Sequence, residues 1–434
     1  MKLRNILTGA FALATLVTVA RADVTIYVTG ATAFRAGSVD GIIAKFQTGT
    51  GFKYAHDAAA AAANGSTRSI FQGNYPGITG TTTIACTFTG SVEGVRAVAT
   101  PSVANNATYL TTAALPAGAA TVAGTEAAGV SSPVAAQVAK FAFSDVLQSS
   151  TPVSSPALHP ANPRVGVIIF TPMVSAGTSA NFTNLSSQQY KALFSNGSQP
   201  LSLFTGVSTD TTQVLASGRN DGSGTRTTAL AESGLGITTL VNQFKSVTST
   251  STNISVMKRI AAGDGTFAST IWGQDFDGNG GYQSGGTLRA DFAKTTTSVT
   301  VFDADGTTDL LGGAQAINLV TFIGAADAQK VANPTVATPA RIIAWNGVSL
   351  PSIANNPVST AMNATDRAKI QYGIYSAWGL ENLYYSGTLS TDENTFYTTL
   401  KTSIDSRLVA NPIEGIRIVD MHVTRPDDGA PIAP

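Results

Sequence analysis

Three times along this chain an apolar strand pattern runs into a glycine-bearing turn and then into helical spacing. Val24-Thr25-Ile26-Tyr27-Val28-Thr29 alternates up to Gly30, after which Val39, Ile42, Ile43 and Phe46 recur at helical intervals. Thr83 to Thr89 alternates through Ile84, Cys86 and Phe88, then Gly90-Ser91 leads into Val92, Val95 and Val98. Val214-Leu215-Ala216 runs into Gly218-Arg219-Asn220-Asp221-Gly222-Ser223-Gly224-Thr225, and Arg226 to Glu232 reads as the helix that follows. A fourth strand, Phe141-Ala142-Phe143-Ser144, ends on Asp145. Strands alternating with helices in this way predict an α/β architecture.

The junctions also carry chemistry. A helix start has unpaired N–H groups and a partial positive charge, so it suits an anion. Glycine lets a backbone come close, hydroxyls add donors, and Arg219 brings a planar, permanently charged fork suited to phosphate. The plainer reading of any one junction is a capped helix after a tight turn, with Ser91 as a cap and Asp145 as a turn former. The Arg219 stretch has neither a Walker pattern nor dinucleotide glycine spacing, so no cofactor is expected.

At 434 residues and 43% hydrophobic content the chain can bury a large core and divide into two domains. Cys86 is the single cysteine, which excludes a disulfide scaffold. Lys+Arg 26 balances Asp+Glu 26, and this lack of basic excess argues against nucleic acid as a partner. Lys2 and Arg4, an apolar run from Ile6 to Val19 and Ala20-Arg21-Ala22 predict a signal peptide over 1–22, with export to the periplasm or beyond.

Residues from His56 to Gly80 read as loop or weak helix, and Thr100 to Val138 as a low-complexity insertion or extended loop. Val165 to Phe170 and Ile317 to Ile323 predict buried strands, and Leu185 to Phe194 a helix. Ile370, Ile374 and Trp378 predict one helix face, and Phe396, Leu400, Ile404 and Leu408 another; Ile416 to Val423 predicts a strand. Asp275-Phe276-Asp277-Gly278-Asn279-Gly280 opens like a calcium loop, but Gly286 stands where the bidentate Glu belongs, so a loop is expected; Asp303-Ala304-Asp305-Gly306 reads the same way.

Taken together, Thr29-Gly30-Ala31-Thr32-Ala33-Phe34, Gly90-Ser91-Val92-Glu93-Gly94-Val95, Phe143-Ser144-Asp145 and Arg219-Asn220-Asp221-Gly222-Ser223-Gly224-Thr225 resemble, in order, the motifs of the phosphate-binding proteins that serve bacterial phosphate ABC importers. Weaker echoes are Tyr375-Ser376-Ala377-Trp378, Tyr384-Tyr385 and Asp428-Gly429-Ala430-Pro431. The resemblance implies an α/β, two-lobed type II periplasmic binding protein fold with the ligand cleft between lobes. One lobe would comprise 23–163 and 336–434, the other 164–335. It implies phosphate binding by Thr32, the backbone of Ala33, Ser91, Ser223, Gly224 and Thr225, with Arg219 as charge partner. Asp145 would accept the proton of a protonated phosphate oxygen, and Asp221 would hold Arg219. It also implies inorganic phosphate and a membrane permease as partners, and a monomer.

Val92 and Glu93 stand where the family has small residues, a carboxylate beside an anion site is unfavourable unless it faces water, and Arg35 is an additional cation. Another oxyanion, or a surface or structural protein without a transport role, is the alternative. His56, His159 and His422 all lie away from the motifs, so catalysis is not expected.

Overall fold

The computed structural model describes residues 23–46, 51–59, 62–103, 108–118, 124–265, 277–331, 339–354 and 362–434. The expected signal peptide and Asp275-Phe276 lie outside these. The architecture is α/β, organised on one mixed sheet of twelve strands among the described residues. In chain order the strands are β1 (Val24–Gly30), β2 (Lys53–His56), β3 (Arg68–Gly73), β4 (Thr82–Thr87), β5 (Thr125–Ala128), β6 (Phe141–Ser144), β7 (Arg164–Val174), β8 (Ser198–Pro200), β9 (Gln213–Ala216), β10 (Ile317–Gly324), β11 (Arg341–Ile342) and β12 (Trp378–Tyr385). Their spatial order is β8-β9-β10-β7-β12-β6-β1-β4-β3-β2-β5, with β11 also on β7.

Strand direction explains where a site can form. β1, β4 and β6 run parallel, whereas β12 is antiparallel to both β6 and β7. β9 and β10 run parallel to each other, and β10 is antiparallel to β7. β6 ends with Ser144 opposite Asn382, beside Glu381, which faces Gly166; β10 ends with Gly324 opposite Phe170. The carboxyl ends of the two parallel sets therefore approach one another around the central β7–β12 pair.

The helices that follow those ends are α1 (Arg35–Phe46) after β1, α2 (Ser91–Ala99) after β4, α3 (Gly224–Glu232) after β9 and α5 (Ala325–Ala328) after β10, while α4 (Gly285–Phe292) lies between the last two. α6 (Thr391–Ala410) opens with a capping box from Ser390 and Glu393 and packs on α1, where Ser403 donates to the Gly41 carbonyl at 2.7 Å. The core is apolar around the central pair, with Phe34, Phe143, Val167, Phe170, Trp378 and Leu383 buried.

Two glycines set the close approaches. Gly30 has φ +117°, and a Cβ there would strike the Phe143 carbonyl. Gly90 has φ +134°, and a Cβ there would strike the Gly222 carbonyl, so only glycine lets the start of α2 touch the Arg219 loop.

The carboxyl-terminal segment ties α3 to the loop after β6. Arg425 stacks 4.2 Å over the Trp378 ring and pairs with Glu232 at 2.9 Å. Three residues on, Asp428 accepts the Leu147 N–H at 2.8 Å.

Four expectations are corrected. Residues 56–80 hold β3, an interior strand between β2 and β4, because Ser69, Ile70 and Phe71 find full backbone pairing there. The segment 100–138 is not only loop: β5 extends the sheet edge, Thr108–Leu110 pairs with Val134–Ala136, and Tyr109 and Leu110 are buried. The helical face across Ile370, Ile374 and Trp378 is broken: the helix Ala364–Gln371 stops before Gly373 at φ +72°, Ile374 is exposed, and Trp378 opens β12. Ile416 to Val423 is no strand; Ile416 bridges Val167, a 3-10 turn follows with Val419 exposed, and the His422 N–H then turns to the Gln371 carbonyl at 2.9 Å.

Candidate functional site

Thr32, Ser91, Asp145, Arg219 and Thr225 come together, each delivered by a different strand end or helix start. Arg219 is 3% exposed and spans the gap: Nη2 donates to Thr32 Oγ1 at 3.0 Å and to the Gln283 carbonyl at 2.7 Å, and Nε donates to the Tyr282 carbonyl at 2.9 Å. Its Nη1 reaches Thr225 Oγ1 at 3.5 Å. Burial pushes the guanidinium pKa down to about 10, while Asp145 and Asp327 favour its charge. Gln243 fixes the loop from behind, donating through Nε2 to the carbonyls of Arg219 (3.1 Å), Gly278 (3.0 Å) and Gly280 (2.6 Å).

Asp145 is buried beside it. Ser91 Oγ donates to Oδ1, and Thr225 Oγ1 donates to Oδ2 at 3.3 Å. Burial raises the Asp145 carboxyl, and Ser91, Arg219 and Thr225 pull it back. Gly224 passes so near that a Cβ there would collide with Asp145 Oδ1. Ser223 caps α3, accepting the Arg226 N–H at 3.4 Å, so its hydroxyl serves the helix.

The backbone adds a second kind of donor. Among the described residues the N–H groups of Thr32, Ala33, Ser91, Gly224 and Thr225 have no hydrogen-bond partner. That of Val92 is taken by the Gly222 carbonyl at 3.1 Å. Ala33 stands against the end of β10, its Cβ 3.4 Å from where a Cβ on Gly324 would be.

The charges of Asp145 and Asp327 favour that of Arg219, and the charge of Asp221 favours that of Arg226. Glu93 is half-buried rather than turned to water; burial raises its carboxyl, while a bond with Thr89 and the charge of Arg96 lower it. In the other loops, Asp277 accepts the Ala262 N–H and Asp303 pairs with Arg259, while Asp305 caps the turn at Thr307 and Thr308. Among the described residues no cluster of His, Cys, Asp and Glu fits a metal.

The sequence reading missed Asp327, Tyr282, Gln283 and Glu381. Glu381 is fully buried in β12, next to Asn382, which faces Ser144, and neither carboxyl oxygen has a partner among the described residues. Burial, and then the charge of Asp145, hold its pKa well above the usual carboxylate range.

No family model and no curated protein matches the chain. Solved structures similar to it include a Clostridium perfringens protein with bound phosphate, described as a phosphate ABC transporter substrate-binding protein (10% identity, 91% of this chain and 99% of that chain, TM-score 0.43). An ABC-type phosphate transport receptor from Vibrio cholerae is similar at 13% identity over 89% and 97% of the chains, with TM-score 0.36. PstS from Borrelia burgdorferi is similar at 10% identity over 89% and 97%, with TM-score 0.33.

Proposed function

We propose that this chain is an exported solute-binding protein that captures inorganic phosphate where the strand ends meet, for delivery to an ABC-type membrane permease. In this reading it works as a monomer and a binder rather than an enzyme, residues 23–163 and 336–434 form one lobe and 164–335 the other, and closure of the lobes encloses the ligand. One observation carries it: unpartnered backbone N–H groups at three helix starts surround one buried arginine and one buried carboxyl. Buried N–H groups need acceptors, and a small tetrahedral oxyanion supplies several at once. Asp145 selects for an anion that has a proton to donate, because sulfate would face it with lone pairs only.

The Val92-to-Gly222 bond and the Ser91-to-Asp145 bond favour a second reading, a fold that satisfies its own donors and serves as a surface or structural protein. Titration calorimetry with phosphate, sulfate and arsenate separates the two, since the second reading expects no heat from any of them. Asp145→Asn tests selectivity: phosphate affinity should fall by about tenfold or more while sulfate gains relative to it. An unchanged ratio would reduce Asp145 to a turn residue.

A further inference from the structure

Arg35 opens α1 just beyond Thr32 and Ala33, and only 8% of it is exposed. The single hydrogen bond of its side chain among the described residues is from Nε to the Asn64 carbonyl at 3.2 Å, which leaves both terminal nitrogens without a partner there. Arginines this deeply buried ordinarily satisfy most of their five donors. The side chain of Arg289, half-buried on α4, makes no hydrogen bond or ion pair among the described residues, and its Nε is buried and unpartnered. Both helix starts lie at Arg219, whose Nη2 donates to Thr32 Oγ1, three residues before Arg35, and to the Gln283 carbonyl, two residues before α4; the charge of Arg289 reaches Arg35, where burial first, and then Arg289, lower the guanidinium pKa. Arg35 in turn acts on Arg219.

The carboxylates around these three arginines offset them only in part. Asp145, supported by the Ser91 and Thr225 hydroxyls, offsets one of them, and Asp57 is paired with Arg68 at 3.7 Å. Asp327 lies against Gly285 at the first turn of α4 and makes no hydrogen bond or ion pair with any of the three. Three arginines facing Asp145 and Asp327 leave an excess of positive charge beside Arg219, on forks shaped for carboxylate or phosphoryl oxygens.

We propose that Arg35 and Arg289 form a second anion subsite beside Arg219, so that the preferred ligand is a phosphoryl compound carrying a second negative group. The proposal rests on the oxyanion reading of the Arg219 site and narrows its substrate class.

Titration calorimetry at fixed ionic strength tests it, using the mature chain with orthophosphate, diphosphate and phosphonoacetate. Diphosphate and phosphonoacetate should bind about tenfold or more tightly than orthophosphate, as one added charge-assisted contact allows. Arg289→Gln should abolish most of that preference and change orthophosphate affinity far less. This variant alters a half-exposed side chain with no partner, so a thermal melt matching wild type is expected to accompany it. Arg35→Gln should act in the same direction. Orthophosphate binding without any preference, or an equal loss for all three ligands in Arg289→Gln, would overturn the second subsite alone. Absence of binding by all three would overturn the oxyanion reading with it.

Discussion

Asp145 and Glu381 are two buried carboxyls on adjacent strands, and they have opposite surroundings. Asp145 stands just past the end of β6, where helix starts and a loop bring it two hydroxyl donors and the field of an arginine. Glu381 stands inside β12, where the neighbouring backbone is already paired and only packing is available. Burial raises both, but only Asp145 has groups that restore its charge. In a sheet, a strand end collects donors and a strand middle does not, so the same chemical group becomes an acceptor in one place and a held proton in the other.

Removing Arg219 should have the largest effect, because it moves Asp145 towards the condition of Glu381. Arg219→Ala should weaken anion binding by about 2–5 kcal/mol. It should also destabilise the protein by about 1–3 kcal/mol through the lost bonds to the Tyr282 and Gln283 carbonyls, of which the Tyr282 carbonyl keeps the Asn220 N–H. Calorimetry and denaturant melts measure the two; intact affinity with lost stability would make Arg219 purely structural.

Replacing Glu381 attacks the comparison from the other side. Its raised pKa contributes stability that is complete below the ordinary carboxylate value and is lost as pH rises through the folded value. Glu381→Met should therefore be close to wild type at acid pH and more stable by about 1–4 kcal/mol at pH 8 or above. Melts that differ equally at both pH values would show that Glu381 does not titrate.

Asp428 lies between the extremes, with the Leu147 N–H and Ser150 as donors and a pKa raised to about 6, chiefly by burial. Its contribution should be present below about pH 4 and lost by about pH 6. The partial exposure of the side chain limits this to about 1 kcal/mol. Asp428→Asn should flatten that step in the stability–pH curve, and a step of unchanged size would assign it to another group. An effect of similar size is expected for Ser91→Ala, about 0.5–1.5 kcal/mol of stability, with the Asp145 carboxyl titrating higher in an NMR pH series.

The sequence was informative where local chemistry repeats. Gly30, Gly90 and Gly222-Ser223-Gly224 mark turns that only particular backbones allow, and helical spacing beyond them located α1, α2 and α3. The residues that complete the site have no such local mark. Tyr282 and Gln283 offer backbone carbonyls, which any residue could supply, and Asp327 sits in a short helix with ordinary neighbours. Glu381 follows Gly379-Leu380 without a motif, and its significance comes from β12 lying beside β6, a contact between residues more than two hundred positions apart. The break at Gly373 was likewise invisible to periodicity, since Ile370, Ile374 and Trp378 satisfy helical spacing although tertiary pairing draws Trp378 into the sheet.

The placing of β12 also has a consequence for how the protein is made. It fills the middle of the sheet between β6 and β7, which are themselves neighbours along the chain, yet it is the last of the twelve strands to be synthesised. A growing chain thus carries two partial sheets whose inner edges, at β6 and β7, stay unpaired until residue 385 is available. Those edges are apolar and could recruit another chain, which makes the interval before β12 inserts the period of greatest risk of aggregation. Slowing synthesis just upstream of β12 should lengthen that interval and lower the yield of folded protein, with no change in the sequence itself.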